Sequence, residues 1–251
     1  MATKRLHVPS PVPSWAFLLH SRGMSHESEN LSTVLLDARH LEQTIDCVAS
    51  IWAEGNIIAR ALGVTREDYL PVARAICTQA LTDELGLLLL DTARDEVVGF
   101  SLAIDLVDEL AVEEAKQQGH SPLLRSWGAM LRGLLQQYLD VYHRPPAPLP
   151  QRGEVMYANI GGVVPALRSR GLIGPLVTRS IELFAGSRGY RRVVAITTHP
   201  HAIRLFTHLG FKLVAEVAFD SMADPLLRRI TEPRGVPVLV LELPDNLRCG
   251  G

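Results

Sequence analysis

The chain has 251 residues, 47% of them hydrophobic, which is enough apolar content to bury a sizeable core, and its formal net charge is only −2. Its 25 Lys and Arg residues are scattered, so the electrostatic footprint of a nucleic-acid or membrane-surface binder is absent and a small-molecule partner is expected. Cys47, Cys77 and Cys249 form no CxxC pair and no metal-ligand spacing, which predicts a reducing, cytoplasmic setting and no metal site.

Residues 1–30 are rich in Pro, Ser and His and lack periodicity, so a poorly ordered extension is expected. Its apolar run, Trp15 to Leu19, is too short for a signal-peptide core or a bilayer span, and both Met1 and Met24 remain open as the start. Thr33 to Leu36 then predicts a short strand and His40 to about Trp52 a helix. The pattern breaks at Gly55. Thr65-Arg-Glu-Asp has the form of a capping box, with Thr65 as N-cap and Asp68 at the third position of a helix running to about Leu81. Glu54 therefore lies at a junction between helices, where by itself it reads as a solvated charge near a helix end.

Leu87 to Leu90 and Val97 to Ile104, joined by a polar turn, predict a hairpin. After Asp105 the chain turns acidic and helical, and Ser121-Pro122 starts a helix with Ser121 as N-cap. Apolar residues from Leu123 through Trp127, Leu131 and Leu135 to Leu139 give that helix a wide buried face, which reads as core. Prolines between His143 and Gly153 make an extended return loop.

A strand from Glu154 leads into Ala158-Asn-Ile-Gly-Gly-Val-Val-Pro-Ala-Leu-Arg-Ser-Arg-Gly-Leu-Ile-Gly174, around which the chain is organised. The strand ends in Gly161-Gly162, a short loop carries Arg168 and Arg170, and the next helix opens on glycine. Free N–H groups and the positive end of a helix macrodipole can hold a diphosphate there, although glycine at such a turn is also ordinary punctuation. A strand over Arg192 to Thr197, a short helix over Ala202 to Leu209 stopped by Gly210, and strands over Phe211 to Phe219 and Val236 to Leu243 complete the chain. The order of elements predicts an α/β fold, a mixed sheet with helices on both faces, in one domain over residues 31–245 with a tail at 246–251.

Val163-Val-Pro-Ala-Leu-Arg-Ser-Arg-Gly-Leu-Ile-Gly, and Ala202-Ile-Arg-Leu-Phe-Thr-His-Leu-Gly-Phe after a further strand, resemble the GCN5-related N-acetyltransferase superfamily. The resemblance spans roughly Leu31 to Leu243. It implies a fold that binds acetyl-CoA, or another acyl-CoA, where the central and following strands splay apart. The signature (Gln/Arg)-x-x-Gly-x-(Gly/Ala) maps onto Arg168, Gly171 and position 173, so Arg168, Ser169, Arg170, Gly171, Leu172, Ile173 and Gly174 would hold the diphosphate. The departure is Ile173, a β-branched residue that crowds the site unless it points into the core. Backbone N–H groups of Ile160, Gly161, Gly162 and Val163 would face the thioester, and the glycine pair fits the bulge the family uses there.

A closer resemblance is to the insect-type arylalkylamine and dopamine N-acetyltransferases. Their Asp-Glu-Pro-Leu corresponds to Ala53-Glu54-Gly55-Asn56, and their Ser-His-Tyr/Phe-Ser-Ala to Thr198-His199-Pro200-His201-Ala202. The helical insertion at 105–153 resembles that branch as well. The resemblance implies direct acetyl transfer to a small-molecule amine in a ternary complex, with Glu54 as base and Thr198 or His201 as proton relay. Cys47 and Cys77 fall within predicted helices, which argues against a covalent cysteine route. Phe206 stands where many members have a proton-donating tyrosine, and Tyr157 where histone-type members have a base glutamate, so the histone-type mechanism is not supported. These departures leave open a CoA-binding or sensing module without chemistry. A protein amine is a further alternative acceptor, and a homodimer is possible.

Overall fold

Among the described residues the strands β1 Leu31–Leu35, β2 Gly86–Asp91, β3 Glu96–Asp105, β4 Val155–Val163, β5 Arg192–Ile196, β6 Lys212–Ala218 and β7 Gly235–Glu242 form one sheet in the order β1-β2-β3-β4-β5-β7-β6, in which the only parallel neighbours are β4 and β5. The computed structural model describes residues 30–110, 122–186 and 188–244. The expected extension over residues 1–29, the N-cap Ser121, Cys249 and the tail lie outside these residues. The helices are α1 Leu41–Gly55, α2 Ile57–Leu62, α3 Arg66–Thr82, α4 Pro122–Tyr142, α5 Ile173–Ser180 and α6 Pro200–His208. A π-helical turn, Ile181–Gly186, extends α5. Among the described residues no helix is long and apolar enough to cross a membrane.

Strand alternation divides the core between the two faces of the sheet. Tyr157, Val194, Ile196, Val238 and Val240 point into one cluster with Ile45 and Trp52 of α1, Ile76 of α3 and Leu134 and Tyr138 of α4. Met156, Val193, Ala195 and Leu239 point the other way, onto Leu176 and Val177 of α5, Phe184, and Phe206 of α6. The capping box is present: Thr65 Oγ1 accepts from the Asp68 N–H at 3.2 Å, and Asp68 Oδ2 accepts from the Thr65 N–H at 3.0 Å.

The break at Gly55 is followed at once by a helix that periodicity does not predict. The Asn56 side chain accepts from the N–H groups of Ile58 and Ala59 at 2.8 and 3.3 Å, so a single amide starts the six-residue α2.

The feature that makes a cleft lies in β4. Its pairing with β5 ends at Ala158↔Ala195, and beyond that point the two strands separate. On the other side Leu102 faces Ile160 while Ala103 faces Ala158, so Asn159 is an extra residue on β4. The bulge is therefore at Asn159, not at Gly161-Gly162, which pair regularly with Ser101 and Phe100. Glycine at 162 answers a packing demand instead: a Cβ there would stand 2.8 Å from Ile51 Cγ2 of α1.

Candidate active site

A cavity of about 1220 Å³ follows the separation of β4 from β5 and takes its walls from both faces of the sheet. One wall is the end of β4, the loop over 167–171, the start of α5, and residues 197–202 with Leu205. The opposite wall is Trp52 of α1, Tyr69, Val72 and Ile76 of α3, and Leu124, Trp127 and Leu131 of α4. Because these residues belong to separate core clusters, the cavity passes through the sheet at Asn159.

The first wall is built of main chain. The Val164 N–H donates to the Val98 carbonyl at 2.9 Å, and the register continues through Gly99↔Val163 and Phe100↔Gly162. The alternation of an antiparallel ladder then turns the N–H groups of Ile160 and Gly162 toward β3, and those of Gly161 and Val163 toward the side from which β5 has withdrawn. Of the four expected donors, these two face the cleft. The loop that follows passes through the left-handed region at Ser169 (φ 65°) and Gly171 (φ 73°) before α5. No side chain caps α5, and its first internal bond runs from the Leu176 N–H to the Leu172 carbonyl, so the N–H groups of Ile173 and Gly174 remain available beside the cavity. Pro175 has none to offer.

Ile173 lines the cavity at this turn, with the end of its side chain against β4. Its Cδ1 lies 3.6 Å from the position a Cβ on Gly161 would occupy, so the branched side chain lies over β4 and packs with the second cluster. Arg168 lines the cavity, and its Nη2 is 3.5 Å from where a Cβ on Gly55 would be, at the end of α1. Ser169, Gly171, Leu172, Ile173 and Gly174 line it as well, but Arg170 does not. Its neighbours turn through left-handed conformations that carry the Arg170 side chain to the exposed outer surface of the loop.

Thr198, only 5% exposed, and the exposed His201 both line the first wall. His199 serves a different purpose from either. Its Nδ1 accepts from the His201 N–H at 3.2 Å and caps α6, with Pro200 at the first helical position. Burial, then the neighbouring charges of His201, Arg168 and Arg204, hold the His199 pKa below the ordinary imidazole value. Arg204 in turn donates to His201 Nδ1. Phe206 is buried against Phe211, ring centroids 4.9 Å apart, and carries no proton donor.

Glu54 is not brought to the cavity. It is exposed in the last turn of α1, while Gly55, Asn56 and Ile57 beside it do line the wall. The helical register that buries Trp52 turns position 54 outward. Cys47 and Cys77 are also absent from the wall, and burial pushes both thiols up to about 12, so neither is a nucleophile at neutral pH.

The second wall is built of side chains and went unread in the sequence. Trp52 and Tyr69 stack with ring centroids 3.8 Å apart, and Trp127 meets Trp52 edge-on at 6.2 Å. Glu109, fully buried, lines the cavity in the helical residues 106–110 that follow β3, and its Oε2 accepts from Nδ2 of the bulge residue Asn159 at 3.5 Å. The available signal for Glu109 was a carboxylate between Leu106 and Leu110, on the apolar side of an otherwise acidic segment.

No family model and no curated protein matches the chain. Solved structures do. Arylalkylamine N-acetyltransferase 2 from Aedes aegypti superposes with a TM-score of 0.71 at 13% identity, over 86% of this chain and 100% of the other. Mosquito arylalkylamine N-acetyltransferase like 5b gives 0.67 at 18% identity, over 85% and 100%. A Drosophila melanogaster polyamine N-acetyltransferase, described as catalysing the formation of N-acetylagmatine, gives 0.65 at 20% identity, again over 85% and 100%. The likeness is one of fold, and the fold is the N-acetyltransferase fold that the sequence motifs led one to expect.

Proposed function

We propose that the chain is an acyl-CoA-dependent N-acetyltransferase that moves an acetyl group to the primary amine of a small molecule by direct transfer in a ternary complex. The observation that carries this reading is the cavity crossing the sheet at the β4 bulge, with a main-chain wall on one side and an aromatic chamber on the other. The amine acceptors named for the proteins of similar fold support the same class.

Acetyl-CoA, as co-substrate, would supply the thioester. The N–H groups of Ile173 and Gly174, with Arg168, suit its diphosphate, and the open edge of β4 suits an extended amide chain lying alongside. The N–H groups of Gly161 and Val163 are the candidates to hydrogen-bond the carbonyl oxygen as charge develops on it. Transfer forms a C–N bond and breaks the C–S bond, so the acceptor gives up a proton and the departing sulfur is stabilised or takes one up. A primary alkylamine, with a pKa of about 10 by analogy with lysine, is mostly protonated at neutral pH, so it must first lose that proton to a base. Thr198 supplies a buried hydroxyl on the first wall for proton relay, with His201 beside it.

The test is calorimetric titration with acetyl-CoA and CoA, followed in the same sample by thiol release on adding arylalkylamines, polyamines and a lysine peptide. Binding with amine-dependent release is expected. Absence of binding at millimolar CoA would overturn the reading. Phe206 favours one other, a CoA-binding module without chemistry, and binding without release by any amine would select it.

A further inference from the structure

We infer that Glu109, and not Glu54, is the carboxylate that receives the acceptor's ammonium group and takes its proton, with Asn159 as the residue that positions it. This rests on the transferase reading above. Under that reading the reacting carbon lies where β4 and β5 part, immediately after Ala158. The bulge places the extra residue, Asn159, at that point, and its Nδ2 lies 3.5 Å from Glu109 Oε2. One side chain therefore separates Glu109 from the centre of the cavity's crossing.

The carboxylates that line the described cavity are Glu109 and Glu232. Glu232 is exposed in the loop before β7, whereas Glu109 is fully buried in a wall shared with Trp127, Leu124 and Tyr157. In such surroundings the attraction between a carboxylate and an ammonium is several times stronger than in water, because less solvent screens it. The same exclusion of water fixes the pair's geometry, which proton transfer requires. Glu54 has neither property, being exposed and outside the wall. The ammonium passes one proton to a Glu109 oxygen, the free nitrogen attacks the thioester carbon, and as the C–S bond breaks the nitrogen's second proton passes through the Thr198 hydroxyl to the departing sulfur, leaving the amide and a thiol.

The experiment compares the full chain with Glu109→Gln, Glu54→Gln and Asn159→Ala, using tyramine as the amine probe. Glu109→Gln is expected to bind acetyl-CoA within about twofold of wild type yet lose roughly a hundredfold or more in kcat/KM for tyramine. Asn159→Ala should lose about tenfold, and addition of acetate to Glu109→Ala should restore part of its turnover, which a merely structural role would not allow. Turnover by Glu109→Gln at the wild-type rate overturns the assignment, as does a greater loss in Glu54→Gln than in Glu109→Gln.

Should wild type bind acetyl-CoA but acylate no amine, the transferase reading fails and Glu109 is judged by binding alone. The assignment then requires tyramine to bind at least about tenfold more tightly than its neutral analogue 4-(2-hydroxyethyl)phenol, a difference that equal affinities would refute. If Glu109→Gln does not fold, that same preference in wild type, and its reduction in Asn159→Ala, decide the matter.

Discussion

The two walls of the cavity are made of different material. The wall at the end of β4 and the start of α5, which residues 197–202 complete, presents mainly main chain from one contiguous stretch between Ile160 and Gly174, and that stretch acts through N–H groups and left-handed turns. The wall opposite is side chain, drawn from α1, α3, α4 and the residues after β3, and it owes its shape to a stack between Trp52 and Tyr69. The first should be nearly indifferent to core packing and sensitive to local backbone conformation. The second should be the reverse. Four substitutions test that division, beginning with the one of largest expected effect.

Trp52→Ala removes a buried indole that touches both Tyr69 and Trp127. A loss of about 3–5 kcal/mol in unfolding free energy is expected from urea denaturation, because three helices lose their common contact. At low temperature, where the variant stays folded, acetyl-CoA affinity should remain near wild type. A matching collapse of cofactor affinity would show that the walls are not separable. Gly162→Val comes next. Its new Cβ would meet Ile51 Cγ2 at 2.8 Å, so α1 must move, at a cost of about 1–3 kcal/mol. This glycine sits in the cofactor motif yet answers to the acceptor-side helix, so thiol-release assays should report a larger change in KM for the amine than for acetyl-CoA.

This asymmetry also accounts for what the sequence made legible. The cofactor-side wall is local in the chain, so glycine spacing, Arg168 and the strand-to-helix transition could all be read directly. The hairpin of β2 and β3 and the capping box at Thr65 are likewise short-range patterns, and they stand where periodicity and capping chemistry put them. The glycine pair marks a bulge at 161–162 to local reading, whereas the register of β3 puts it on Asn159, a matter of pairing between strands distant in sequence. Glu109 escaped for a similar reason. Its place between Leu106 and Leu110 is the one local mark that sets it apart from Asp105 and Asp108, and only the arrival of β4 beside it gives it a cavity to face. Trp127 read as core, and it does pack against the core, but that packing surface is also a chamber wall.

Gly171→Ala probes the opposite wall. A Cβ at Gly171 would meet nothing within 4 Å, so space is not at issue, but φ is 73° and the left-handed conformation costs an L-residue about 1 kcal/mol. Reduced freedom of the unfolded chain offsets part of that cost. Stability should therefore change little, while calorimetry should find acetyl-CoA bound several-fold more weakly, since the loop must relax away from the geometry that presents the α5 N–H groups. A large stability loss with unchanged cofactor affinity would reverse the proposed division.

The smallest effect expected is a pH dependence carried by His199. Its pKa is held below the ordinary imidazole value of about 6.5, first by burial and then by His201, Arg168 and Arg204, so the unfolded chain binds a proton more readily than the folded one. The stabilisation from keeping this ring neutral is present above about pH 6.5 and declines as the pH falls through that value toward the lower folded pKa. His199→Asn retains a side-chain acceptor for the His201 N–H and removes the titration, so its stability should fall less steeply between pH 7 and 5. The difference should stay below about 1 kcal/mol, because the ring is partly solvated and its neighbours are screened. Acetyl-CoA sharpens the comparison further. A diphosphate held by Arg168 and the α5 N–H groups would offset the positive charges that depress His199, so in its presence the wild-type decline should become shallower. Tyramine, bound against the opposite wall, should leave that decline as it is. An equal response to both ligands would mean that the charge near His199 reports on the whole cavity rather than on its main-chain side.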